Sequence, residues 1–110
     1  MKSYLFLLIA ICFEVMGTTI LPYTQQFTRW KPTLLFALCF GSALFFFSKS
    51  IKTIPIGVAY AVWSGIGIIL ISAAAYLVHK QKLDIPAVIG ITFIIVGVLI
   101  INIFSKTAGH

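Results

Sequence analysis

The sequence predicts an all-α membrane protein, a bundle of four transmembrane helices. Three observations predict it. Of the 110 residues, 61% are hydrophobic and only 9% are charged, against about 25% charged in soluble domains. The mean hydropathy is +1.13. The apolar residues fall into four runs, roughly 4–21, 33–51, 56–78 and 87–104. Each is long enough at about 1.5 Å per residue to cross a hydrocarbon core of about 30 Å. One four-helix domain then accounts for residues 1–110, and little is left over for a soluble domain.

Prolines punctuate the runs. Pro22 follows the first, and Pro32, Pro55 and Pro86 each precede one. A proline at a helix start is harmless, because its missing N–H would have no partner there. Short connections make sequence neighbours antiparallel. The first run could be mistaken for a cleaved signal peptide behind Lys2. An acid within it, Glu14, and the lack of an A-x-A pattern argue against that reading. Asp84, two residues before Pro86, suits the N-terminus of the fourth helix, as a cap or a partner for its dipole.

The basic residues give a topology argument. Lys2, Lys49, Lys52 and Lys106 fall on one side of the bundle, and Arg29, Lys31, Lys80 and Lys82 on the other. The rule that places positive loops in the cytoplasm therefore expresses no preference. Either a weak bias still sets one orientation, or the chain inserts both ways, which permits an antiparallel homodimer. Size favours association, because four helices have little interior room for a solute. The net charge of +6 is spread in ones and twos, as in loops at lipid headgroups, so nucleic acid is not an expected partner.

Glu14 is the residue that demands a use. Apart from Asp84 it is the only acid in the chain, and it sits near the middle of a membrane span. A carboxylate at the bilayer centre costs roughly 2.5–3.5 kcal/mol on insertion scales. Its helical face carries Leu7, Ala10, Ile11, Gly17 and Thr18. The small residues among these are expected to leave space beside it. A carboxyl in apolar surroundings can hold a proton or yield it to a cation. The plainer reading is a structural Glu that hydrogen-bonds a neighbouring helix.

The third run carries Tyr60, Trp63 and Gly67 at the spacing of one helical face. Aromatic faces attract cations and stack on flat organic ones. Trp63 lies deeper than an interfacial belt residue would. Gly65 and Gly67 allow a bend or a close approach in mid-helix, or simply small-residue packing. In the second run, Phe40 and Ala43 are expected beside the chamber, and Phe36, Phe45, Phe46 and Phe47 toward lipid or packing. The fourth run has no ionisable group, and Gly90 and Gly97 share one face, as at a helix–helix seam.

Cys12 and Cys39 sit within apolar runs as small packing residues, and His79 and His110 are expected at solvated surfaces. No nucleotide loop, metal-ligand spacing or nucleophile constellation is present. The expectation is a protein that is not an enzyme and that uses no cofactor or metal.

Several stretches together resemble the small multidrug resistance family, in its quaternary-ammonium and drug-exporting branch. They are EVMGTT from Glu14 to Thr19, FTR from Phe27 to Arg29, and IPIGVAYAVWSGIG from Ile54 to Gly67. QKLDIPAVIG from Gln81 to Gly90 and GVLIIN from Gly97 to Asn102 complete them. The resemblance covers essentially the whole chain. It implies an antiparallel homodimer, multi-pass in the bacterial inner membrane, that exchanges protons for lipophilic organic cations. Glu14 matches the carboxylate that binds proton and drug in turn, and Tyr60 and Trp63 match aromatic substrate contacts. Tyr4, Leu7, Ala10 and Thr18 match chamber-lining positions, Gly65 and Gly67 a helix kink, and Gly90 to Val98 the dimer seam. Phe40 stands where drug exporters often carry Tyr, Pro22 where Lys is common, and Gln26 where Gly is usual. Met16 and the Trp63-Ser-Gly run favour the drug branch over the guanidinium branch. Rival readings are a guanidinium or polyamine exporter of the same fold, a proton-translocating rotor or channel subunit, and a subunit that needs a partner chain.

Overall fold

The computed structural model describes residues 2–106, so His110 lies outside the described residues. Its element order is α1 (Lys2–Ile20), a 3₁₀ turn (Leu21–Thr24), α2 (Trp30–Ser50), α3 (Ile56–His79) and α4 (Ile85–Phe104). All four α-helices are long and apolar enough to cross a membrane. The connections that remain, 25–29, 51–55 and 80–84, are short.

Local chemistry sets the helix ends. Pro22 falls in the first turn of the 3₁₀ segment, and Pro55 is the N-cap of α3. Pro32 and Pro86 lie inside their helices rather than just before them, because α2 begins at Trp30 and α4 at Ile85. Both stay within the first turn, where backbone N–H groups have no acceptor inside the helix. Asp84 caps α4, its Oδ1 accepting from Ala87 N at 3.0 Å.

The first connection is held by Thr24, which is fully buried. Its hydroxyl donates to Leu21 O at 2.8 Å and accepts from Phe27 N at 3.3 Å. Its carbonyl accepts from Thr28 N at 3.0 Å and from Arg29 N at 3.1 Å. The chain pivots here through three successive left-handed residues, Gln25, Gln26 and Phe27, at φ 49°, 61° and 67°. Gln26 therefore occupies a conformation that glycine adopts freely and a side chain resists.

The core lies between α1, α2 and α3, with α1 in the middle. Leu7 and Ile11 of α1 pack with Ala59 and Val62 of α3 and with Ile54 from the connection before it. Gly17 lets α1 approach α2 closely, since a Cβ there would lie 3.3 Å from Cys39 Cβ. Cys39 is buried, while Cys12 faces outward, exposed. α4 packs chiefly against α3, and none of its residues is buried. The two helices are close at Gly65, where a Cβ would stand 2.6 Å from Val98 Cγ2. The least extent of the molecule is 17 Å.

Candidate functional site

A cavity of about 510 Å³ opens between α1, α2 and α3, lined by Glu14 and Thr18, by Phe40, Leu44 and Phe47, and by Tyr60, Trp63, Ser64, Gly67, Ile68 and Ile71. Its size falls in the range of drug-sized pockets, roughly 300–1,000 Å³. Each wall follows from helical spacing. Phe40, Leu44 and Phe47 recur at three and four residues along α2, and so do Tyr60, Trp63 or Ser64, Gly67 and Ile71 along α3.

Glu14 is half-buried at the edge of the packed face of α1. Thr18, one turn on, donates its hydroxyl to Glu14 Oε1 at 2.9 Å. The other oxygen, Oε2, points past Gly67, whose missing side chain would begin 3.7 Å away. The same absent Cβ would lie 3.4 Å from Trp63 Cδ1. Gly67 thus makes room for an acid and an indole to share one space. Phe47 meets Trp63 edge-on with ring centroids 4.6 Å apart, and Tyr60 lies 6.2 Å from the same indole. Phe40 stacks on Phe36 at 5.3 Å. Tyr60 is 62% exposed, at the rim.

The structure divides the residues expected around the acid. Glu14, Thr18, Phe40, Tyr60, Trp63 and Gly67 converge on the cavity. Leu7 and Ala10 do not, being sealed in the core at 1% and 0% exposure. The expected face of α1 is wide enough to meet two neighbours. Ala10 and Gly17 bring helices together, and among its small residues Thr18 stands beside the carboxylate. Ala43, also expected at the chamber, is fully buried. Tyr4 lines a different, apolar cavity of about 340 Å³ with Val62, Gly65, Ile66, Val98 and Asn102. Gly65 and Gly67 sit in one uninterrupted helix, where their visible roles are contact with Val98 and space for Glu14. Gly90 and Gly97 face open space within one chain.

Leu44, Phe47, Ile68 and Ile71 also line the cavity, beyond the residues expected there, and Ser64 of the third-run motif joins them. Continuing the Phe40 and Tyr60 faces by further turns would have found them. His79 is a correction. It is half-buried, and its Nε2 lies 3.1 Å from the carbonyl of Thr19. Its ring centroid is 5.4 Å from that of Tyr23. A histidine that ends one helix beside the end of another finds a backbone acceptor there, which sequence position alone does not reveal.

The chemistry of the site is one carboxylate among aromatic and aliphatic walls. Such a group can accept a proton, or pair with a cation whose apolar bulk the walls accommodate. Among the described residues no group of three His, Cys, Asp or Glu side chains converges to hold a metal.

Residues 2–94 match the family described as "Small Multidrug Resistance protein". The chain is 44% identical to the quaternary ammonium compound-resistance protein QacE of Escherichia coli over 110 residues, covering all of both chains. It is 41% identical to the multidrug transporter EmrE of Escherichia coli K12, again over the whole of both chains. It is 40% identical to the membrane protein YvaE of Bacillus subtilis over 106 residues, 96% of this chain and 89% of that one.

Proposed function

The chain belongs to the small multidrug resistance family, a multi-pass membrane protein of the drug-efflux type, and from that premise we propose that it exports lipophilic and quaternary ammonium cations in exchange for protons. The observation that carries the proposal is Glu14 facing Trp63 and Tyr60 across one cavity of about 510 Å³. A lipophilic cation gains there from a carboxylate in a medium that screens charge poorly, and from aromatic faces. These attractions carry little shape information, so a range of cations can be accepted.

Coupling follows from competition. One negative group cannot fully serve a proton and a cation at once, so binding of either expels the other. Export then requires that the loaded site face each side in turn. We assign that exchange to an antiparallel homodimer whose two Glu14 residues share a chamber. Three features support the dimer: the even division of basic residues between the two sides, the unburied face of α4, and the exposed rim of the cavity at Tyr60. The energy source is the proton gradient of a bacterial inner membrane, and no cofactor is required.

The test is transport. Vesicles holding the purified protein are given a proton gradient, and uptake of labelled tetraphenylphosphonium is followed. Gradient-dependent uptake that falls to background in Glu14→Gln supports the proposal. Uptake that persists in that variant contradicts it. Guanidinium uptake in place of tetraphenylphosphonium would move the substrate to the guanidinium branch.

A further inference from the structure

A second opening leads away from the carboxylate. It is about 230 Å³ in volume and lined by Thr18, Thr19, Leu21, Pro22, Ile71, Ala75, His79 and Gln81. It shares two walls, Thr18 and Ile71, with the larger cavity. It runs between the end of α1 and the end of α3, toward the side where Pro22, His79 and Gln81 lie. The two openings differ in kind. The larger is walled by aromatic rings. The smaller falls below the usual size for an organic ligand, roughly 300 Å³ and above. At about 30 Å³ per water it has room for a short file of solvent. Its polar groups are hydroxyls, an amide and an imidazole.

We propose that this opening is a proton route separate from the drug's, with Thr18 at its inner end and His79 as the relay at its outer end. The inference rests on the exchanger reading above. It explains a contact that drug binding does not require. His79 is held in place by the carbonyl of Thr19 at 3.1 Å and by the ring of Tyr23 at 5.4 Å. Thr18 already aims its hydroxyl proton at Glu14 Oε1, at 2.9 Å.

Loading the acid along this route balances as follows. The Thr18 hydroxyl gives its proton to the Glu14 carboxylate, and its oxygen takes one from water in the passage. The His79 imidazolium returns a proton to that water and takes another from bulk solvent. The net change is one proton moved from bulk to Glu14, and unloading is the reverse. The imidazole meets the ring of Tyr23 from the 3₁₀ turn and the backbone carbonyl of Thr19 from α1, and the residues lining the opening with it include no acid. Lys80 and Lys82 line a separate recess with Tyr76 and Leu77.

The experiment compares two variants of the full chain, purified and assembled as the wild type is. His79→Gln keeps an N–H donor for the Thr19 carbonyl. His79→Phe keeps a ring against Tyr23. Neither can carry a proton. Proton release on rapid mixing with tetraphenylphosphonium is followed in weak buffer, with drug affinity measured separately at equilibrium. The expected result is release slowed roughly tenfold or more in both variants. Its final amplitude and the drug affinity stay as in wild type, and added imidazole restores the rate. An unchanged rate in either variant, with wild-type amplitude intact, overturns the relay and leaves the exchanger standing. Slowing in both variants that imidazole does not restore also overturns it, since a structural latch would behave that way. Absence of release in the wild type overturns the exchanger and the relay together.

Discussion

α1 and α4 are apolar helices of nearly equal length, 19 and 20 residues, yet they live in different surroundings. α1 buries Leu7, Ala10, Ile11 and Gly17 and carries the acid. α4 buries nothing within the chain, although it is the more apolar of the two. In a membrane, apolarity does not drive helices together, because lipid is as apolar as leucine. What marks an inner helix is instead its small and polar residues. Gly17 brings α1 against Cys39, and Glu14 with Thr18 opens onto the cavity. On α4 the small residues Gly90 and Gly97 meet nothing in the same chain. The face of α4 that carries these glycines has no partner among the described residues, and the proposed dimer would cover it with a second copy.

The contrast can be broken at two glycine positions. Gly65→Ala puts a Cβ 2.6 Å from Val98 Cγ2, so the Val98 side chain or the spacing of α3 and α4 must shift. The expected loss of stability is about 1–3 kcal/mol, read from denaturation in detergent or lipid. Val98→Ala in the same chain should restore most of it. Full stability in Gly65→Ala alone would mean that α4 does not sit against α3 as described. At Gly97 the surroundings are open, so Gly97→Leu should change the fold of a single chain little, within about 0.5 kcal/mol. It should weaken self-association several-fold, as measured by energy transfer between labelled copies in dilute lipid. Unaltered association would remove the seam from α4.

A smaller effect is expected on the cavity wall. Phe40→Tyr adds a hydroxyl to a wall of rings and should shift preference among cations roughly two- to tenfold, as one hydrogen bond gained or lost would. Competition assays with polar and apolar cations would read it. The smallest effect lies away from both helices. Gln26→Gly relieves a left-handed residue at φ 61°. The relief exceeds the added flexibility of the unfolded chain by only about 0.5–1 kcal/mol. Transport should be unaffected, and a rise in thermal midpoint would be the check.

Much of the architecture could be read from residue order. Apolar runs long enough to span a bilayer and prolines between them describe the four helices to within a few residues. The differences at Trp30 and Ile85 arise because a proline ends no helix when it stands in the first turn. The aromatic wall of the cavity was also legible, since Tyr60, Trp63 and Gly67 keep one helical face. The α1 side was less so. Periodicity gives a face but not its partner, and the face from Leu7 to Thr18 divides between a packed core and an open cavity. Leu7 and Ala10 went to the core for that reason. His79 was illegible in another way. Its partner is a backbone carbonyl 60 positions away, which no side-chain pattern records.

If proton and cation compete for one carboxylate, binding of the cation at equilibrium must release protons. Tetraphenylphosphonium is added to purified, weakly buffered protein, with Glu14→Gln as control. Protons are expected in solution as the cation binds, and none from the variant. Cation binding to the wild type without proton release, or equal release from Glu14→Gln, would contradict that competition.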